Sequence, residues 1–399
     1  MKHLTTASEA SNPKSRWVTR VLYAGVTGVL AAGCVETVQG QGTTDVATAD
    51  LSQDGGAEPS EDTEEAGRDD VASDTDVWVE DGDSVTPPPL GPQTLAAPGA
   101  CCLGLSPWRA VFRDAEGIAW TDGDAVRRPS EPLADASEPT LAGDTIVVVR
   151  GVTPDRTLWL VDPRTGSATE WAIGATDPHH VTADGDRVVW VEGTGVEADL
   201  WTARLVLDES PTRLTADDAE QAWPHVSAQR VVWTDLRNDP DKRMLGTAED
   251  PFATSNNNAD VYAMDLGGEV EQLTDDPAKQ ARPAVNGQLV AWLDWRGISP
   301  EPKFARFAVW ARLGSGPAVE LGESSWERPA LWQRPAVSAD AVFWVRETSA
   351  GAALQRQTLD GAVNPLAVGS APSEAAVAVA SGLVAWVTGP SIEVLPLTP

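Results

Sequence analysis

Residues 280–297 read QARPAVNGQLVAWLDWRG, and residues 332–347 read WQRPAVSADAVFWVRE. One phrase written twice, about fifty residues apart, marks a repeat architecture in which each unit buries its apolar face against the next. Its centre, a short apolar run ending in a large residue, recurs along the chain. It appears as GIAW ending at Trp120, DTIVV at Val148, DRVVW at Trp190, QRVVW at Trp233, QLVAW at Trp292, AVFW at Trp344 and GLVAW at Trp386. Spacings of 42 or 43 residues separate the anchors at 148, 190 and 233, and again those at 344 and 386. That is the length of a four-stranded antiparallel blade.

From residue 92 onward, runs of Val, Leu and Trp alternate with Gly, Asp, Asn and Pro turns, which is the pattern of many short strands. The fourth unit supplies all four in order: AWPHVSA (222–228), RVVWTDLR (230–237), ADVYAMDL (259–266) and EVEQLTDD (269–276). The seventh supplies only three, at 375–380, 383–388 and 392–397. Its outer strand is expected from residues 92–97, PQTLAA, whose text matches the RLT and QLT of other units. Pairing the first strand with the last blade leaves no open seam. The expected fold is therefore all-β: a seven-bladed β-propeller of four-stranded antiparallel blades, closed by an N-terminal strand and spanning 92–399.

The phrases VVWTDLRN, ADVYAMDL, EQLTDD and LVAWLDWRG resemble the TolB-like class of bacterial propeller repeats. There strand B carries W-x-D-x-R, strand C reads D-[IV]-Y and strand D ends in Leu-Thr. The resemblance covers residues from about 92 to 399 and is strongest in the third to fifth units. It implies the propeller; such repeats occur in proteins with different jobs, and fold alone does not carry function.

Before the repeats lies a segment of different character. Residues 21–32, VLYAGVTGVLAA, follow a basic stretch with Lys2, Lys14, Arg16 and Arg20, and are too short to span a bilayer comfortably. Leu30-Ala-Ala-Gly-Cys34 resembles the lipobox of bacterial lipoproteins, so 1–34 is expected to be a signal peptide with Cys34 lipidated. Val35 after the cysteine points to an outer-membrane location. Residues 35–91 are read as a disordered acidic tether. Up to residue 87 they hold sixteen acidic residues against one basic, Arg68, too few apolar groups to offset chain entropy.

The whole chain of 399 residues carries 29 basic and 60 acidic side chains, a net charge of −31. A polyanion such as nucleic acid would be repelled. Three cysteines, Cys34, Cys101 and Cys102, are too few for a disulfide framework or a four-thiolate zinc ribbon. The adjacent pair reads as a strained vicinal disulfide, a soft-metal site or two structural thiols. No G-x-S-x-G elbow, phosphate-binding loop or dinucleotide fingerprint occurs.

Asp235 with Arg237, and Asp294 with Arg296, sit at matching places after strand B. Because they repeat, they read as structural ion pairs tying neighbouring blades rather than as a catalytic pair. Apart from His3, the histidines are His179, His180 and His225. His180 and His225 align near the start of strand A and, with Asp177, are the candidates for a divalent metal; without a patterned third ligand no metal or other cofactor is expected.

Strands alternate direction, so D-to-A and B-to-C connections share one face. The insertions at 238–258, 297–305 and 322–333 all fall there, and long loops on a rigid scaffold are where binding concentrates. Trp223, His225, Arg282, Trp295, Trp332 and Arg334, near the channel on that face, are the candidate ligand-binding residues; Trp326 and Arg296 lie close in sequence. Trp and Arg anchor interfaces, and packing between blades is the competing role for each Trp. The expected function is a non-catalytic binding platform in the cell envelope, a monomer meeting an envelope protein, peptide or glycan. The alternative is a hydrolase or lyase acting on carbohydrate or peptide at the channel mouth. If Cys34 carries acyl chains, each buried CH₂ adds about 0.8 kcal/mol of anchoring. Cys34→Ser should then move the protein from the membrane pellet to the soluble fraction, and an unchanged distribution would rule out the anchor.

Overall fold

A computed structural model describes residues 89–123, 125–205, 209–242, 258–296, 307–323, 334–348, 351–359, 361, 364–369, 376–380 and 382–397. The expected signal segment with Cys34, and the tether up to residue 88, lie outside them. Seven four-stranded antiparallel sheets form a seven-bladed propeller. Blade 4 is representative, with strand A at Gln221–Ser227, B at Arg230–Asp235, C at Asp260–Asp265 and D at Val270–Gln272. The only helical element among the described residues is the 3₁₀ turn Gly195–Glu197.

Strand B sits inside each sheet and is covered by blades on both sides, so its apolar run is continuous rather than alternating. Its alternate side chains serve two different interfaces. Val231 and Trp233 pack with Val189 and Leu200 of blade 3, while Val232 packs with Val285 and Val290 of blade 5. The rule repeats round the ring: the strand-B aromatic is wedged against the preceding blade. Trp190 meets Val147 and Leu158, Trp292 meets Val232 and Val261, Trp344 meets Leu293 and Val309, and Trp386 meets Phe343 and Leu354.

Blade 1 departs from the expected layout. Trp120 lies on strand C, Gly117–Asp122; strand B is Ala110–Asp114, and Phe112 takes the wedge position against Ile392 and Val387 of blade 7. This also explains why blade 2 has Val148 where other blades have Trp. Trp120 of blade 1 already fills that interface, packing with Val148 and Val161.

The motif residues have local causes. In blade 4, Thr274 Oγ1 accepts the Val261 N–H at 2.8 Å and donates to Asp260 at 3.1 Å, locking the D-[IV]-Y start of strand C to the Leu-Thr after strand D. Blade 3 repeats the device with Thr215, Leu200 and Asp199.

Ring closure follows the sequence expectation. Gln93–Ala96 pairs antiparallel with Ser391–Pro396, placing Leu95 opposite Ile392. Leu95 is buried in a cluster holding Val394 and Val387 of blade 7 and Phe112 of blade 1. Packing reaches back to Leu90, whose N–H donates to Pro107 O at 2.9 Å. Because Leu95 joins the two ends of the ring, Leu95→Ala should cost about 2–5 kcal/mol in urea unfolding, as a fully packed core leucine does. A loss under about 0.5 kcal/mol, the scale of a surface substitution, would mean that the closing strand is not coupled to the rest.

Candidate functional site

The repeat is broken at one register position. In five successive blades strand A carries a bulge at the same place, between Cys101 and Gly104, Ser137 and Thr140, His179 and Thr182, Ala222 and His225, and Ala281 and Ala284. Each bulge holds a non-glycine residue in the left-handed region: Cys102 at φ 57°, Glu138 at 50°, His180 at 51°, Trp223 at 50° and Arg282 at 55°. That conformation costs an L-residue roughly 1–2 kcal/mol, and such strain persists only where surrounding structure enforces it. In blade 6, Ala336 pairs with Phe343 as Ala284 pairs with Ala291, so Arg334 is the counterpart of Arg282. Glu138, Trp223, Arg282 and Arg334 each precede a proline, whose missing N–H suits the unpaired part of a bulge.

All these residues stand ten positions before the strand-B anchor of their blade, Phe112 in blade 1 and Val148 in blade 2 included. Counting back ten from Val148 reaches Glu138 in the sequence, whereas Cys102 is reached only from Phe112, because the sequence anchor Trp120 leads to Ala110. The sequence reading singled out neither for ligand contact. The same count corrects the histidines. His180 matches Trp223, and His225 matches Thr182, because their strand-B partners are Val232 and Val189.

These side chains assemble across blades. The His180 and Trp223 rings are 5.5 Å apart, His179 lies 4.8 Å from His180, and the Arg282 guanidinium stands 4.4 Å over the Trp223 ring. Such a cation over an indole face is attracted by its quadrupole. From blade 6, Arg334 Nη2 donates to Trp223 O at 3.0 Å and Pro224 O at 2.8 Å. Glu138 Oε2 accepts the Val181 N–H at 2.7 Å, linking blades 2 and 3. Burial, with Arg282 nearby, pushes the Arg334 guanidinium down to about 9, against the opposing pull of Glu138.

Other candidates fall elsewhere. His225 Nδ1 accepts the Val285 N–H at 3.2 Å, a bond between blades 4 and 5, and burial pushes the imidazole down to about 3. It is a neutral packing residue, not a partner for His180. Asp177 is held by Arg156 in a two-point ion pair at 2.7 and 3.2 Å. Among the described residues no three His, Cys, Asp or Glu side chains converge as a metal site. Trp295 is buried against Phe307, ring centroids 5.3 Å apart. Trp332 and Trp326 lie outside the described residues. The Cys101 and Cys102 sulfurs are 3.0 Å apart, so the pair is not bonded to itself as a vicinal disulfide, which needs about 2.0 Å.

The Asp–Arg pairs brace their own blade as well as reaching its neighbour. Asp235 accepts Trp233 Nε1 at 2.9 Å and Arg237 Nη2 at 2.7 Å, and Arg237 covers Tyr262 of the same blade at 4.4 Å. Asp294 does the same with Trp292 and Arg296, which covers Trp310. Both arginines also reach the segment arriving from the preceding blade, Arg296 to Asp276 at 3.9 Å and Arg237 to Asp217 at 2.7 Å.

That contact also fixes the face. The D-to-A connection into blade 4 meets the B-to-C loop: Glu220 N–H donates to Lys242 O at 2.8 Å, and Lys242 Nζ lies 2.6 Å from Asp218. The 238–258 insertion is described only at its neck. There Asn238 donates to Asp260 at 2.7 Å, and Asp239 accepts the Asn258 N–H at 2.6 Å. Burial pushes Asp260 up to about 6. Most of the expected loops 297–305 and 322–333 lie outside the described residues.

No protein-family model matches the sequence, and no curated protein matches it. Among solved structures the chain is similar to TolB from Acinetobacter baumannii, with 16% identity and a TM-score of 0.44, covering 70% of this chain and 64% of that one. It is also similar to the β-propeller domain of the Trilobed protease from Pyrococcus furiosus, with 12% identity and a TM-score of 0.48, covering 76% and 98%. A third is the acylaminoacyl peptidase of Pyrococcus horikoshii, with 13% identity and a TM-score of 0.48, covering 75% and 52%. The chain thus spans just under two thirds of that TolB and about half of that peptidase.

The two perturbed groups titrate in opposite senses. An unfolded histidine binds its proton near 6.5, while folded His225 stays neutral to about 3, so its contribution is complete above 6.5 and lost as pH falls toward 3. Folded Asp260 takes its proton near 6 against 3.8 unfolded, so its effect favours the fold as pH falls from 6 toward 4. His225→Gln should therefore flatten the acid side of the stability curve by up to about 1.4 kcal/mol per pH unit below 6.5, while Asp260→Asn should steepen it. Urea unfolding at pH 8, 6.5 and 5 reads both; a wild-type slope in His225→Gln would show that the folded imidazole is already charged.

Proposed function

We propose that this propeller is a non-catalytic binding platform of the cell envelope, tethered through Cys34, whose partner docks on the loop face over the channel mouth. One observation carries the reading. The blades repeat their packing residues, but one register position at the start of strand A, left-handed in five blades, varies through Cys102, Glu138, His180, Trp223 and Arg282, with Arg334 as its counterpart in blade 6. Residues serving the scaffold recur from blade to blade; residues serving a partner have no reason to. Conserved geometry with changing chemistry, placed beside the long connections, is what recognition on a rigid frame requires.

His180, Trp223 and Arg282 form a contact series across three blades, the two rings tilted and the guanidinium over the indole, and Arg334 braces it from a fourth. Trp and Arg are the residues that most often dominate interface energetics. A hydrolase or lyase would need acid and base groups converging on one substrate atom. At the mouth positions the one carboxylate, Glu138, accepts a backbone N–H, and His225 is turned into a blade interface. Membrane attachment is assigned to Cys34 on the strength of the lipobox-like Leu30-Ala-Ala-Gly-Cys34.

Affinity capture from detergent-solubilised envelopes, quantified by mass spectrometry, tests the site. His180→Ala with Arg282→Ala should reduce recovery of a specific partner at least about tenfold, the effect of losing one hot spot. Equal recovery would place binding elsewhere on the ring.

A further inference from the structure

Arg334 is the anomaly of the mouth. Arg128, Arg156, Arg237 and Arg296 each place a guanidinium nitrogen 2.7 Å from a carboxylate, and Arg230 does so at 2.8 Å. In a chain of net charge −31 carboxylates are not scarce. Yet Arg334 has no ion pair among the described residues. Nη2 donates to two backbone carbonyls, and Nε is enclosed with no acceptor. An enclosed guanidinium donor left unsatisfied is expensive. Its guanidinium is already pushed down to about 9 by burial and by Arg282. Of the mouth positions, Arg282 and Arg334 are cationic and Glu138 is anionic, an excess of one positive charge. The residue itself is partly exposed at the start of strand A, which leaves an approach from the mouth.

We infer that Arg334 is the floor of an anion subsite at the channel mouth that accepts a single carboxylate of a peptide ligand, between Arg282 and the His180–Trp223 pair. The inference rests on the binding-platform reading and names what that platform recognises. A carboxylate supplies one negative charge and two acceptor oxygens, matching the excess charge and the planar guanidinium donors. The aromatic pair beside it offers an apolar wall to the rest of a peptide. A phosphate dianion would overcompensate the charge.

The test uses the full chain at constant ionic strength and follows the Arg334 Nε–H resonance by ¹⁵N NMR during titration. N-acetyl-Gly-Glu-Gly amide carries a side-chain carboxylate, N-acetyl-triglycine a terminal one, and N-acetyl-Gly-Gln-Gly amide neither. We expect a saturable shift with one or both carboxylate peptides, identifying the source, and none with the glutamine control. Arg334→Gln should weaken binding at least about tenfold, and Arg296→Gln should leave it unchanged. A shift of equal size with the glutamine control, saturation by inorganic phosphate at lower concentration than by carboxylate, or no response overturns the subsite. If Arg334→Gln does not fold, the wild-type titrations decide alone. Failure here with partner capture still lost in the His180→Ala, Arg282→Ala protein would overturn the subsite and keep the platform; unaltered capture in that protein would remove the platform as well.

Discussion

The contact on which this molecule depends is the wedge between the strand-B aromatic of one blade and the sheet of the blade before it. Trp190, Trp233, Trp292, Trp344 and Trp386 each fill this place, and Phe112 fills it in blade 1. Each indole buries a large apolar area, while Nε1 of Trp190, Trp233, Trp292 and Trp386 donates to a carboxylate of its own sheet, so the polar end is not left unpaired. Where volume arrives from the other side, as at Trp120, the wedge shrinks to Val148. Total filling, rather than residue identity, is what each interface conserves.

A ring built this way fixes where the inner strands begin. Strand A is held from behind by strand B and from the side by the neighbouring blades, so a bulge at one register places one side chain from each of five blades at the mouth. The cost of left-handed backbone at five non-glycine residues is borne by packing that does not vary. Scaffold and recognition are thereby separated: the positions that make the ring repeat, and the position that faces a partner is free to differ.

Much of this was legible in the sequence. The repeat period, the central Trp run and the turn residues give the blade, and the odd strand at 92–97 gives the closure, because an unpaired seventh blade demands a fourth strand. What misled was matching residues by likeness instead of by register. Aligning His180-Val181 with His225-Val226 pairs two chemically similar dipeptides, but the hydrogen-bond ladder shifts the match by two residues. Likewise Trp120 reads as a strand-B anchor, although it lies on strand C and serves the same interface from the other side. The bulge has no composition of its own beyond a frequent following proline, and the unsatisfied Nε of Arg334 is a property of packing across three blades. Neither is visible until strands are placed in space.

The most direct measurement of the central claim is site-specific photocrosslinking in native envelopes. p-Benzoylphenylalanine is placed at position 180, at the mouth, or at 229, in the A-to-B turn of blade 4 on the opposite face. A partner meeting the mouth should crosslink from position 180 and not from 229. Crosslinking from 229 alone, or equally from both, would contradict the assignment of recognition to the strained ends of the inner strands.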